Sequence, residues 1–107
     1  MWILQSSEPS APLVFRVVPG AIKTLGRAAR ADFIVDAALV SRLHCRLEAS
    51  ANAIEVVDLS STNGTFVNGK RVERGWLTAG DRLQIGRIEL QVARAIEGPV
   101  GSEAPTL

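Results

Sequence analysis

The stretch DLSSTNGTFVNG, from Asp58 to Gly69, holds two Asn-Gly dipeptides on either side of a short β-prone run. Both dipeptides tolerate positive φ, because glycine has no Cβ to clash and an asparagine amide can bond its own backbone. Thr65-Phe66-Val67 between them is β-branched and aromatic, as strands prefer. Asn68-Gly69 leads into a second β-prone run, and this predicts a tight β-hairpin. Asn63-Gly64 instead ends a hydroxyl-rich loop, which could grip a polar ligand.

Alternating apolar and polar residues recur outward from this stretch. The segments 43–49 and 88–92 both show a period of two, and glycine, proline or asparagine turn signals separate such segments. Residues 27–32 are alanine-rich but too short for an independent helix, so they are interpreted as a loop. About ten short strands, with turn signals about every 8–12 residues and no long helical periodicity, predict an all-β sandwich or barrel.

The length and composition indicate one folded domain. The chain has 107 residues and is 47% hydrophobic, and it contains no apolar run near the ~18 residues of a membrane span. Residues 1–97 are expected to form the domain, and the Gly/Pro/Ser-rich residues 98–107 a disordered tail or the start of a linker. A soluble, cytoplasmic domain, monomeric when isolated, is the expectation.

The charge pattern argues against nucleic acid and membrane partners. The net charge is +1, tyrosine is absent and aromatic residues make up 5%, so both a cationic field and stacking surfaces are lacking. Ten of the twelve basic residues are arginine, whose planar fork suits carboxylate or phosphate. A genome rich in arginine codons would give the same bias, and the composition hints at a bacterial source.

Polar residues concentrate in three loops, which span residues 27–32, 36–42 and 59–64. Loops separated by an even number of antiparallel strands share one end of a sandwich, so the three loops could meet. Their side chains would then combine cations, hydroxyls and an amide without a general base, which suits anion recognition better than turnover. The candidate binding residues are Arg27, Ser41, Arg42, Thr62 and Asn63.

Other readings of the reactive residues are weaker. Ser41 and His44 resemble a nucleophile and a base, but no third group orients the imidazole, so no catalytic residue is predicted. No metal site is predicted, because His44 is the only histidine and lacks ligand-spaced neighbours. His44 is interpreted as a structural residue that bonds loop backbone. Cys45 is expected to be a buried small hydrophobe, and Trp76 a core residue or a hairpin brace.

Six short motifs, in order and spacing, resemble the forkhead-associated (FHA) domain over about Thr24 to Val92. They are Gly26-Arg27, Ser41-Arg42-Leu43-His44, Asp58 to Thr65, Val67-Asn68-Gly69, Gly80-Asp81 and Ile85-Gly86. The resemblance implies a SMAD/FHA-like β-sandwich of about eleven mostly antiparallel short strands. It also implies a non-catalytic signalling module that binds phosphothreonine peptides through loops at one end, with no cofactor.

The resemblance assigns a role to each matching residue of the loops. It implies that Arg27 and Thr62 contact the phosphate, and that Ser41 bonds it through both its hydroxyl and its backbone N–H. Arg42 fills an adjacent, usually basic position, and Asn63 holds the peptide main chain. The remaining matches are structural, with Gly26, His44 and Gly64 in the loops and Asn68 and Gly69 in the hairpin.

The resemblance leaves selectivity and partner open. The loop before Ser41 partly reads the third residue after the phosphothreonine, and Leu39 and Val40 there suggest an apolar preference. The alternative function is a phosphate-independent interaction or self-assembly module of the same fold. Family members usually adjoin other domains, and a phosphorylated Thr106 in the tail is a conceivable intramolecular ligand.

Overall fold

The computed structural model describes residues 1–6 and 12–95, which fold into eleven strands. The strands are β1 (Trp2–Ser6), β2 (Val14–Val17), β3 (Ile22–Gly26), β4 (Phe33–Ile34), β5 (Cys45–Ala49), β6 (Ile54–Asp58), β7 (Thr65–Val67), β8 (Lys70–Val72), β9 (Arg74–Leu77), β10 (Arg82–Ile85) and β11 (Ile88–Arg94).

Two sheets form a sandwich. One has six strands in the order β2-β1-β11-β10-β7-β8, and the other has five in the order β4-β3-β5-β6-β9. All strand pairs of the described residues are antiparallel except β3 with β4. The all-β sandwich of mostly antiparallel short strands is therefore confirmed.

The hairpin predicted from Asn68-Gly69 joins β7 to β8. Val67 pairs with Lys70, which leaves a two-residue turn, and the φ angles of Asn68 and Gly69 are 51° and 84°. Positive φ at both central positions is the requirement of a type I′ turn. The Asn68 side chain also donates to Asp81 at 3.1 Å and accepts from the Arg82 N–H at 2.9 Å, which ties the hairpin to β10.

The core lies between the sheets and follows the alternation of the sequence. Cys45, Leu47 and Ala49 of β5 are buried, as predicted from their period of two. Trp76 is not a core residue, since it is 61% exposed, and of the two interpretations only the hairpin brace stays open. Leu77 pairs with Ile54 and points into the core, so the preceding residue of β9 points outward.

The part of the chain that the structure describes contains no helix that could span a bilayer. The expectations for residues 98–107 and Thr106 lie outside the described part of the chain.

Candidate functional site

The three polar loops meet at one end of the sandwich. Arg27 N–H donates to the Ser41 carbonyl at 3.0 Å, and Ala28 N–H donates to the Arg42 carbonyl at 3.1 Å. The Asn63 side-chain amide donates to the Leu39 carbonyl at 2.9 Å. These bonds join the loop after β3, the loop before β5 and the loop after β6. They enclose a hollow of about 160 Å³ lined by Arg27, Ala38, Leu39, Val40, Ser41, Thr62 and Asn63.

Gly26 permits the close approach of the first two loops. A Cβ at this position would lie 2.0 Å from the Arg42 carbonyl oxygen and 2.7 Å from its carbon. Any side chain would therefore push the loop before β5 away from β3. Glycine is thus required at this position of the motif because there is no room for a side chain, and not because the backbone has an unusual φ.

Arg27 projects over the hollow and is held by its own neighbours. Its Nε donates to the Val40 carbonyl at 3.0 Å, while the residue stays exposed. Its terminal guanidinium nitrogens have no hydrogen-bond or ionic partner among residues 1–6 and 12–95. A fork fixed at Nε with both terminal nitrogens free is arranged to receive an anion.

Ser41 and Thr62 bring two hydroxyls to the same hollow. The Thr62 N–H donates to Ser41 Oγ at 3.0 Å, so the second and third loops are also bonded to each other. The Ser41 N–H donates to His44 Nδ1 at 3.0 Å. The expectation that this N–H serves the phosphate therefore needs correction: it is used internally, and the hydroxyl is the donor that Ser41 offers.

His44 is buried and connects two loops through hydrogen bonds to their backbone. Nδ1 accepts from Ser41, so Nε2 carries the proton and donates to the Gly64 carbonyl at 2.8 Å. Both nitrogens of the buried ring are thus satisfied by backbone. The interpretation of His44 as a structural histidine that bonds loop backbone is confirmed.

Asp58 and Ser61 shape the loop after β6, and sequence reasoning assigned no role to either. Asp58 accepts from the Ser61 hydroxyl, from the Ser61 N–H at 3.1 Å and from Thr65 Oγ1 at 2.7 Å. Ser61 Oγ in turn accepts from the Gly64 N–H at 3.0 Å. The signal in the sequence was an Asp followed three residues later by Ser, a spacing typical of side-chain-closed turns.

The Asp58 carboxyl is held in its ionised form. Partial burial by itself would raise its pKa, but the hydrogen bonds from Ser61 and Thr65 outweigh that effect. The pKa of Asp58 therefore lies below its ordinary value. The network that presents Thr62 and Asn63 is consequently strongest when Asp58 carries its charge.

The two residues predicted for selectivity face different ways. Val40 is 1% exposed and belongs to the core, whereas Leu39 is 39% exposed at the edge of the hollow. Only Leu39 is positioned to contact a ligand with its side chain. Gly86, in the β10–β11 turn, lies against Leu39, and a Cβ there would come within 2.9 Å of its backbone.

The residues that line the hollow offer a guanidinium, hydroxyls and an amide. Among the residues that line it there is a guanidinium but no carboxylate. Within the described residues, no three His, Cys, Asp or Glu side chains come together as metal ligands. Cys45 is buried between the sheets, and burial raises the pKa of its thiol to about 12. This thiol is a core group, as predicted from its place in β5.

The fold and the loops define a β-sandwich interaction module with a cationic, hydroxyl-lined hollow at one end. The sequence profile of the FHA domain matches residues 23–86, and the chain belongs to that family.

Relatives and solved structures agree with this assignment. The chain is 40% identical over 70 residues to the glycogen accumulation regulator GarA of Mycobacterium tuberculosis. The matched region covers 65% of the chain and 43% of GarA. It is 40% identical over 76 residues to the oxoglutarate dehydrogenase inhibitor of Corynebacterium diphtheriae, covering 71% of the chain and 51% of that protein. The chain therefore spans about half the length of these relatives or less.

Two solved FHA domains superpose closely. One, from a study of phosphothreonine-dependent FHA domain interactions, has a TM-score of 0.80 and 29% identity, covering 90% of this chain and 98% of that chain. The other is the FhaA FHA domain, complexed with the intracellular domain of Rv3910. It has a TM-score of 0.77 and 29% identity, covering 86% of this chain and 99% of that chain.

Proposed function

We propose that residues 1–97 form a non-catalytic, cytoplasmic adaptor domain that binds a phosphothreonine-containing segment of a partner protein. The observation that carries the proposal is the Arg27 guanidinium, anchored at Nε and free at both terminal nitrogens, over the Ser41 and Thr62 hydroxyls. Relatives named as regulators and inhibitors, and a neighbour studied for phosphothreonine-dependent interactions, support it.

The charges and donors match the ligand. A phosphothreonine carries about −1.5 to −2 charge and three acceptor oxygens. Arg27, with Arg42 beside Ser41, would supply charge-assisted hydrogen bonds of about 1.5–3 kcal/mol each, and the two hydroxyls less. With main-chain contacts from Asn63, this reaches about −8 kcal/mol, a micromolar affinity.

Binding would then act as a switch that a kinase sets. Removing the phosphate removes the acceptors of Arg27, Ser41 and Thr62 together, which is most of the binding free energy. Leu39, exposed at the rim, supports an apolar preference at the third residue after the phosphothreonine.

Calorimetric titration with matched phosphorylated and unphosphorylated threonine peptides tests the proposal. We expect micromolar binding for the first peptide and at least 100-fold weaker binding for the second, since two charge-assisted bonds are lost. Arg27→Ala should lose about 2 kcal/mol or more of this binding, and only about 1 kcal/mol of stability through the lost bond to the Val40 carbonyl. Arg16→Ala, an exposed arginine on β2, is the matched control and should bind normally. Equal affinity for both peptides would instead favour the phosphate-independent interaction module.

A further inference from the structure

A second groove adjoins the loop after β6. It has a volume of about 450 Å³ and is lined by Asp58, Ser60, Ser61, Arg71, Val72 and Glu73. Thr62 and Asn63, which follow directly in the chain, line the phosphate hollow instead. Residues 60–63 are thus a ridge with one recess on each side. A ligand that crosses Asn63 can enter both.

Arg71 of β8 reaches this ridge. A Cβ built on Gly64 would lie 2.8 Å from Arg71 Nε and 3.0 Å from its Cζ, so the guanidinium rests against the glycine that follows Asn63. Arg71 is exposed and has no hydrogen-bond or ionic partner among the described residues. A free cation is therefore held beside the residue expected to hold the peptide main chain.

Arg71 is the cation of the groove, and it lies against Gly64 at the end of the ridge. Both Asp58 oxygens accept hydrogen bonds from Ser61 and Thr65. The Glu73 carbonyl accepts from the Asp58 N–H at 2.9 Å, so these two residues are neighbours in the groove. Arg71 and Glu73 are both exposed, so the groove presents one cation and one anion to a ligand.

The spacing of the two recesses sets which ligand residue Arg71 can reach. Residues 60 to 63 are three peptide steps apart, which spans at most about 10 Å in an extended chain. An extended peptide with its phosphothreonine in the hollow would cover that distance in two or three residues. Leu39 lies against Gly86 in the β10–β11 turn, whereas Arg71 is on β8, and β7 separates β10 from β8 in the sheet. Because Leu39 is expected to contact the residues after the phosphothreonine, the groove would take those before it.

We propose that Arg71 and this groove form a second subsite, which selects an acidic residue two or three positions before the phosphothreonine. The subsite rests on the proposed function, because the phosphate fixes where the peptide crosses the ridge. It supplies selectivity among phosphorylated segments rather than the dependence on phosphate.

Charge reversal on both sides of the contact tests the proposal. Phosphothreonine peptides with Glu, Gln or Lys two or three positions before the phosphothreonine would be titrated against the native domain, Arg71→Ala and Arg71→Glu. An exposed ion pair predicts about two- to five-fold tighter binding of the Glu peptide than of the Gln peptide. We expect Arg71→Ala to bind the Glu and Gln peptides equally, so that the ratio falls to one. Arg71→Glu should bind the Lys peptide more tightly than the Glu peptide. Glu73→Gln should increase the ratio.

The controls separate this subsite from the proposed function. Arg16→Glu, which makes the same charge change on β2, should leave the Glu-to-Gln ratio of the native domain unchanged. A ratio of one in the native domain, or an identical ratio in Arg71→Glu, would overturn the subsite while phosphate-dependent binding of the Gln peptide stands. Acidic preference only after the phosphothreonine would overturn it too. Equal binding of the phosphorylated and unphosphorylated Gln peptides would instead reject the proposed function.

Discussion

The substitution Gly26→Ala tests the close approach that assembles the site. The Arg42 carbonyl oxygen would have to move from 2.0 Å to at least 3.0 Å from the new Cβ, a shift of about 1 Å. Such a shift strains or breaks the bonds from Arg27 N–H to Ser41 and from Ala28 N–H to Arg42. Each is worth about 1 kcal/mol, and forced overpacking adds about 1–3 kcal/mol.

We therefore expect Gly26→Ala to lower the free energy of unfolding by about 3–5 kcal/mol. Without the clash, Gly26→Ala would raise the free energy of unfolding. The φ angle at residue 26 is ordinary, and alanine loses less entropy than glycine on folding. Urea unfolding followed by far-ultraviolet circular dichroism measures the change. The midpoint should fall by about 1 M or more.

Peptide titration under native conditions completes this test. The displaced loop carries Ser41 and Arg42, so affinity for the phosphothreonine peptide should fall as well. Gly69→Ala is the control, since it has a φ of 84° with no atom within 4 Å of its Cβ and lies in the β7–β8 turn. It should cost about 1–2 kcal/mol of stability but leave binding intact. A Gly26→Ala protein with native stability and native affinity would refute the reasoning.

Three further predictions concern the core and the loop network. Hydrogen bonds from Ser61 and Thr65 lower the folded pKa of Asp58, so its contribution to stability is present above the ordinary value of 3.8 and is lost as pH falls through the folded pKa. Asp58→Asn should make the free energy of unfolding depend less on pH in that range. An unchanged pH dependence would contradict this role of Asp58. Cys45, with its buried thiol at a pKa of about 12, should not react with an aromatic disulfide reagent at pH 8 until the protein unfolds. Trp2 is 1% exposed and Trp76 61% exposed, so acrylamide should quench the fluorescence of Trp2→Phe strongly and that of Trp76→Phe weakly. Equal quenching of the two variants would mean that the assigned orientations are wrong.

Local features of the sequence determined much of the fold. Asn68-Gly69 predicted a hairpin because few dipeptides accept positive φ at two consecutive positions. The period of two predicted the inward face of β5, because side chains of a strand alternate between faces. These effects depend on neighbouring residues alone.

The failures of prediction lie where distant segments meet. Val40 could not be placed, because an apolar residue at a loop can face the core or a ligand with equal ease. Trp76 was interpreted as a core residue or a hairpin brace, and its register with Glu55 on β6 puts it on the outer face rather than in the core. The family resemblance assigned the Ser41 N–H to the ligand, and its bond to His44 could not be foreseen because it depends on the buried position of the imidazole ring. The role of Arg71 beside Gly64 likewise depends on how β8 folds back.

The central claim is that three loops form one phosphate site, and nuclear magnetic resonance tests it most directly. An ¹⁵N-labelled domain would be titrated with phosphothreonine and threonine versions of one peptide. We predict that the phosphorylated peptide alone shifts the Arg27 side-chain Nε–H and the backbone amides of Ser41, Thr62 and Asn63 together. Shifts confined to residues away from these loops, or the same shifts with both peptides, would contradict the account.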